Sequence, residues 1–326
     1  MGVVSRLVKG IGAYLLAQQV IGWGMLASRR VERALTAPYP PRFPGKTLEQ
    51  VTDYEDYTVT HVVEDGIERI SYRPRQPRFT TPIVMQHGMW HGAWCWERWQ
   101  RLLALQGWET HAHSLPGHAL SPVQRPLNLC TLDYYLSFLK REMERHPVRP
   151  VLMGHSMGGA LTQWYLKYVS DDLPAAVMVG PWGARSTFDY FDHLEIDWLG
   201  MVIMPLLTRS AWGWVRNPAA AARVLISSRA DITPEALHAQ LNDESILVVL
   251  QHMPPFWSPP ASVQTPLLLV AGGQDTVCPE PHMRASAERY RADYYLVPDS
   301  AHNLMMDVDY ERTALYIHDW LAARVS

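Results

Sequence analysis

Short apolar runs alternate along most of this chain with stretches in which apolar residues recur every three or four positions. Pro82–Gln86, Thr110–Leu115, Val151–Met153, Ala175–Val179, Pro266–Val270 and Tyr294–Val297 have the length and composition of buried strands. Between them, Trp96, Trp99, Leu102 and Leu103 share one helical face, and Gly107 closes that helix. Thr131–Arg145 turns Leu132, Tyr135, Leu136, Leu139 and Met143 inward, and Leu161, Trp164, Tyr165 and Tyr168 repeat the spacing. Pro281–Arg291 and Tyr310–Arg324, the latter with Leu315, Trp320 and Leu321, add two more helices. Tyr57–Val63 and Glu68–Arg73 predict a hairpin about Asp65-Gly66. Strands alternating with helices predict an α/β chain with a mostly parallel central sheet covered on both faces. No internal repeat interrupts that reading.

The alternation stops from Pro181 to Pro260, where aromatic residues, Leu and Met crowd short helical patterns (Ile203, Met204, Trp212, Trp214, Val215). A long strand-free stretch between two strands of one sheet predicts a helical cap over residues 181–260. Pro38–Pro44 is too rich in proline for a helix and predicts an extended linker over 38–47. The core then comprises 48–180 and 261–326, beginning near Leu48. Ahead of the linker, Arg6 and Lys9 precede the uncharged stretch Gly10–Ser28, which approaches the ~20 residues needed to span a bilayer. Residues 1–37 are therefore expected to form a hydrophobic helix that contacts a membrane through residues 7–28. A helix packed on the core is the alternative reading. A cleaved signal fits less well, since Met25 or Leu26 would stand where a signal peptidase requires a small residue. Localisation is expected at a membrane or in the cytoplasm.

Composition narrows the class. The chain has 326 residues, 48% hydrophobic and 19% charged, enough to build a large core. A net charge of -3 gives no basic footprint, so nucleic acid is not an expected partner. Cys95, Cys130 and Cys278 are odd in number and far apart, and form no disulfide framework. The 13 Trp and 14 Met, against only 6 Phe, suit either a roomy apolar pocket or simple core filling.

The strongest chemical signal lies where the Val151–Met153 strand meets the next helix. Gly154-His155-Ser156-Met157-Gly158 sets glycines two before and two after a serine. Between strand and helix that spacing is a nucleophile elbow: residues without Cβ let the two elements approach, and the serine Oγ is lifted from the sheet edge. Met157 N–H would then stand at a helix N-terminus, where negative charge is favoured. A glycine-rich turn with a bystander serine is the bland alternative.

The rest of the chain supplies partners in a telling order. Asp275, after Gly272-Gly273-Gln274, and His302, between Ala301 and Asn303, each follow a predicted strand, as Ser156 does. A parallel sheet builds its site at those carboxyl ends. A serine hydroxyl attacks only when a base takes its proton, and the base needs a carboxylate to hold its tautomer. Asp299 is the main rival acid, with Asp189 and Asp192 behind it. His87-Gly88 makes a tight turn that presents Met89 N–H as a second oxyanion donor. His87 with His91, and His111 with His113, have spacings seen in metal sites, but no acidic partner completes either set. Neither a metal nor a cofactor is expected.

Across residues 55–322 the sequence resembles the α/β-hydrolase superfamily. His87-Gly-Met-Trp-His-Gly-Ala-Trp-Cys-Trp96 is similar to the opening motif of the plant methyl-esterase and hydroxynitrile-lyase group and its bacterial relatives. Gly154–Gly159, Gly272–Asp275 and Ala301–Asn303 fit the superfamily's elbow, acid and histidine positions. Ser114 stands where many relatives carry Asp, read as a packing variation. Gly88 and Asn303 stand where the lyases carry Thr and Lys, so the resemblance implies hydrolysis and not cyanohydrin cleavage. Serine at the elbow argues against haloalkane dehalogenase and epoxide hydrolase chemistry. The resemblance implies a serine esterase or lipase-like enzyme acting on a hydrophobic ester or lipid. Acyl transfer, perhydrolysis or carbon–carbon hydrolysis on the same triad stand as alternatives, as does a ligand-binding protein on a hydrolase scaffold.

Overall fold

A computed structural model describes residues 20, 22, 24, 31–37, 41–184 and 197–325. Among them, β1 (Lys46–Asp53), β2 (Tyr57–Glu64), β3 (Ile67–Pro74), β4 (Ile83–Gln86), β5 (Thr110–Ser114), β6 (Val151–His155), β7 (Ala176–Val179), β8 (Leu267–Gly272) and β9 (Asp293–Val297) form one sheet. Its order is β1-β2-β3-β5-β4-β6-β7-β8-β9. From β5 to β9 every neighbouring pair is parallel, whereas β1, β2, β3 and β5 are antiparallel to one another in succession. The central strands β4, β6, β7 and β8 are buried along their whole length, which is why they read as continuous apolar runs and not as alternating ones.

The helices are α1 (Val31–Thr36), α2 (Glu97–Leu105), α3 (Leu132–Glu144), α4 (Met157–Tyr168), the short α5 (Met204–Thr208), α6 (Pro218–Leu225), α7 (Pro234–His238) and α8 (Ile246–Gln251), then α9 (Glu280–Tyr290) and α10 (Tyr310–Ala322). Gln100 of α2 donates to Thr110 Oγ1, and Glu142 of α3 pairs with Arg69, whose register partner is His113. Thr110 and His113 point to opposite sides of β5, so α2 and α3 cover opposite faces. α2 packs with α10, and α3 with α4. A doubly covered, mostly parallel sheet is therefore the architecture, as the alternation predicts.

Residues 197–260 enter between β7 and β8 and hold no strand among the described residues apart from an isolated bridge, Ser210 with Ser245. A π-helical turn, Trp198–Ile203, leads into α5. Trp96, Trp99, Trp108 and Trp164 are among the largest fully buried side chains, and Met85, Met153, Met157 and Met178 are likewise buried. Core filling accounts for these residues.

Two sequence expectations change. β1 begins at Lys46, inside the expected linker and ahead of Leu48; it is an edge strand, almost wholly exposed, so its residues carry no apolar alternation to announce it. Residues 41–45 are also no free spacer: Arg42 Nη1 donates to Gln124 O at 2.5 Å, and Gly45 N–H donates to Asp65 Oδ1 at 2.9 Å. The expected membrane contact over residues 7–28 lies outside the described residues except at 20, 22 and 24. α1 packs against α3 through Val31 and Leu35. No described helix is long and apolar enough to cross a membrane.

Candidate active site

The elbow follows from steric limits at its glycines. Ser156 takes φ 54° and ψ −115°, a costly conformation for a residue with a side chain, between β6 and α4. A Cβ on Gly154 would lie 2.2 Å from Gly158 O, and one on Gly158 would lie 2.2 Å from Gln86 O. Both obstacles are backbone, which no rotamer change relieves. Gly158→Ala is accordingly expected to destabilise the fold by about 3 kcal/mol or more, read as a fall in Tm, while an alanine at exposed Gln240 is neutral.

The other candidates converge on the same end of the sheet. Ser156 N–H donates to Val179 O, at the end of β7. A Cβ on Gly180, the next residue, would lie 3.4 Å from Asp275 Oδ2 and 3.5 Å from His302 Nδ1. His302 Nδ1 donates to Asp275 Oδ2 at 2.8 Å, with both residues buried. Asp275 Oδ1 accepts from Val277 N–H and Cys278 N–H at 2.8 Å each, so both carboxylate oxygens are held. Asp299, the rival acid, instead forms an exposed ion pair with Arg229 at 2.9 Å. Asp189 and Asp192 lie outside the described residues. Among the described residues no hydrogen bond joins Ser156 Oγ to His302; such catalytic bonds commonly tighten only when substrate is bound.

The loop after β4 closes over the serine. A Cβ on Gly88 would fall 2.8 Å from Ser156 Cβ, so only glycine lets the loop come this near. Among the described residues neither Met89 N–H nor Met157 N–H meets an acceptor, leaving two donors beside the serine. His87 Nδ1 donates to Gly88 O at 2.8 Å and its Nε2 accepts from Leu115 N–H at 3.0 Å. His155 Nε2 donates to His302 O at 3.0 Å, fastening the histidine loop to the elbow. Burial pushes His87 and His155 well below the ordinary histidine pKa, so both are neutral.

His91 spends both ring nitrogens on hydrogen bonds, with Met89 O and Asn303, while His111 bonds Ser71 Oγ at 2.8 Å and its Nε2 lies 3.0 Å from Glu109. Among the described residues, the one set of three close metal-type groups is Asp275, Cys278 and His302, of which His302 and Asp275 are hydrogen-bonded to each other and Cys278 contributes its backbone N–H to Asp275. All three cysteines are free and buried.

Three supporting residues escaped the sequence reading. Asp307, fully buried, accepts from Ala301 N–H at 3.0 Å and from Ser227 N–H at 2.8 Å, tying the His302 loop to the inserted segment. A lone acid after the apolar run Leu304-Met305-Met306 was its only signal. Asn242 N–H donates to Trp90 O at 2.8 Å, so the insert also grips the Met89 loop. Glu68 accepts from Ser114 Oγ at 2.5 Å and Leu120 N–H at 3.3 Å. Ser114 is thus more than a packing variation: the buried carboxylate beside this loop comes from β3.

The profile of the Alpha/beta hydrolase family matches residues 83–314, well over half of the chain. Methylesterase 2 of Arabidopsis thaliana is 30% identical over 99 residues, which are 30% of this chain and 38% of that protein. The Pyrethroid hydrolase of Sphingobium wenxiniae is 26% identical over 113 residues, 33% of this chain and 40% of its own length. Among solved structures, the Paleococcus ferrophilus monoacylglycerol lipase aligns with a TM-score of 0.56 at 19% identity, over 79% of this chain and 99% of that one. The chain spans between 27% and 45% of the length of the plant relatives it matches. A parallel sheet with a serine elbow at its carboxyl end agrees with the family match, and the chain belongs to the Alpha/beta hydrolase family.

Proposed function

We propose that the protein is a serine carboxylesterase acting on an apolar or aromatic ester. The observation that carries this reading is the buried 2.8 Å bond between His302 Nδ1 and Asp275 Oδ2 beside the strained Ser156 elbow. Asp275 holds His302 with its proton on Nδ1, leaving the Nε2 lone pair for the proton of Ser156 Oγ. The serine oxygen adds to the ester carbonyl, and the carbonyl oxygen takes the negative charge between Met89 N–H and Met157 N–H. His302 then hands its new proton to the leaving alcohol as the carbon–oxygen bond breaks. Water, deprotonated by His302, releases the acid from the acyl-enzyme in the same way.

Apolar substrates are supported by the insert over residues 197–260, taken here as the cap. Trp198, Leu199, Ile203 and Leu206 expose large apolar surfaces along its π-helical turn and α5. The relatives named methylesterase and pyrethroid hydrolase, and the monoacylglycerol lipase structure, support an ester or lipid substrate. Hydrolysis of p-nitrophenyl esters from acetate to laurate tests the reading. Turnover that rises with acyl length before falling at a cutoff is expected. No turnover of any ester by the folded wild type contradicts it.

A further inference from the structure

The strand-to-helix segment that carries Met89 is held in a conformation its own sequence does not favour. Trp90 sits at φ +65°, the left-handed region that a bulky residue rarely adopts. Each of the three successive carbonyls there has a donor from outside its own peptide. His87 Nδ1 gives to Gly88 O at 2.8 Å, His91 Nδ1 to Met89 O at 2.6 Å, and Asn242 N–H to Trp90 O at 2.8 Å. Because a peptide is planar and trans, holding Gly88 O fixes Met89 N–H in the same peptide, and holding Met89 O fixes the next peptide, so Met89 is clamped on both sides of its Cα.

His91 is the member of this set that reaches the histidine loop. Its Nε2 accepts from Asn303 Nδ2 at 3.0 Å, and Asn303 directly follows His302. Asn303 N–H is itself anchored on Leu225 O at 2.8 Å, at the end of α6. Met89 O only accepts and Asn303 Nδ2 only donates, so His91 must be neutral with its proton on Nδ1. Burial drives its pKa down to about 4, in keeping with that state. The ring stacks near Trp94 at 5.2 Å and stands edge-on to His155 at 5.7 Å, which limits rotation.

We propose that His91 and Asn303 are positioning residues that set the Met89 loop against the His302 loop, so that oxyanion donor and base arrive in fixed relation. This rests on the esterase reading above. The pair touches no reacting atom; it acts through the Met89–Trp90 peptide, which limits the rotation at Met89 Cα that would re-aim Met89 N–H. The link also explains why an Asn, with a donor amide and no charge, follows His302: a lysine there would bring a charge into a buried site occupied by a neutral ring.

His91→Ala, His91→Asn and Asn303→Leu test it, each checked for folding by near-UV circular dichroism. Loss of one oxyanion donor costs about 10²–10³ in kcat, so a misaimed donor in His91→Ala is expected to lower kcat by roughly 30-fold or more with KM within about twofold. Asparagine places its amide near the Nδ1 position, and His91→Asn is expected to recover most of that loss. Backbone amides of [15N]methionine protein give a readout that does not need activity. The Met89 cross-peak, assigned through Met89→Leu, should move in His91→Ala and Asn303→Leu and return towards its wild-type position in His91→Asn. Folded His91→Ala with kcat within about threefold of wild type, or an unmoved Met89 amide, overturns the proposal. Should the wild type hydrolyse no ester, the esterase reading fails, and the Met89 amide alone decides the positioning role.

Discussion

Ser156→Ala is expected to abolish ester hydrolysis, lowering kcat by about 10⁶-fold while Tm stays within a few degrees of wild type. In the proposed mechanism the Ser156 hydroxyl is the nucleophile. His302→Ala should match it, since the serine proton then has no acceptor. Asp275→Asn should cost less, about 10⁴-fold, because the amide presents a donor where His302 Nδ1–H needs an acceptor and turns the ring to the wrong tautomer. Groups that act as a unit are not additive, so Ser156→Ala combined with His302→Ala should be no slower than either alone. Full activity in Asp275→Asn would contradict the assignment of the acid. Asp299 is no replacement, since it lies in an exposed pair with Arg229.

The second large effect is on stability in acid. His91 and His113 are buried with pKa values pushed down to about 4, and His252 to about 3, in each case chiefly by burial. In the unfolded chain the same rings titrate near ~6.5. Below that pH the unfolded state therefore binds more protons than the folded one, and stability falls as pH falls. Above ~6.5 these groups are neutral in both states and have no effect. Each ring removes about 1.4 kcal/mol per pH unit until its folded pKa is reached, so the three together remove on the order of 8 kcal/mol by pH ~4.5. That rivals a whole domain's stability of roughly 5–15 kcal/mol. His87 and His155, shifted the same way by burial, add to it. Urea unfolding from pH 7.5 to 4.5 should show a midpoint that is flat above about pH 6.5 and falls steeply below it. A midpoint unchanged down to pH 4.5 would show that these rings are not held neutral in the folded chain.

The parts of this protein that were legible in its sequence are those where one physical demand dominates. Buried parallel strands must be apolar throughout, so β4, β6, β7 and β8 stood out within a residue or two. An elbow as tight as that at Ser156 leaves room only for glycine at positions 154 and 158, and that spacing survives in a linear string. Asp275 was favoured because it stands after a strand of its own, on a different loop from His302, whereas Asp299 shares the His302 loop; in the structure Asp275 lies 2.8 Å from His302 Nδ1. β1 left no trace because an exposed edge strand has no buried face to impose alternation. Glu68, Asp307 and Asn242 were invisible for another reason. Each is a single polar residue whose side chain serves a neighbour distant in sequence: Glu68 serves Ser114, Asp307 serves Ser227, and Asn242 Oδ1 accepts from Ala119 N–H. His91 was weighed only as a metal-type spacing and set aside for want of an acidic partner; its actual partners, a backbone carbonyl and Asn303, are not ones that sequence spacing points to.

The most direct test of the account is covalent labelling of wild-type protein with a fluorophosphonate, followed by mass spectrometry of the peptides. One phosphonyl group on Ser156, with parallel loss of ester hydrolysis and no label in Ser156→Ala, is the predicted result. Ester hydrolysis that persists with Ser156 unlabelled, or a label on a different residue that tracks the loss of activity, would contradict it.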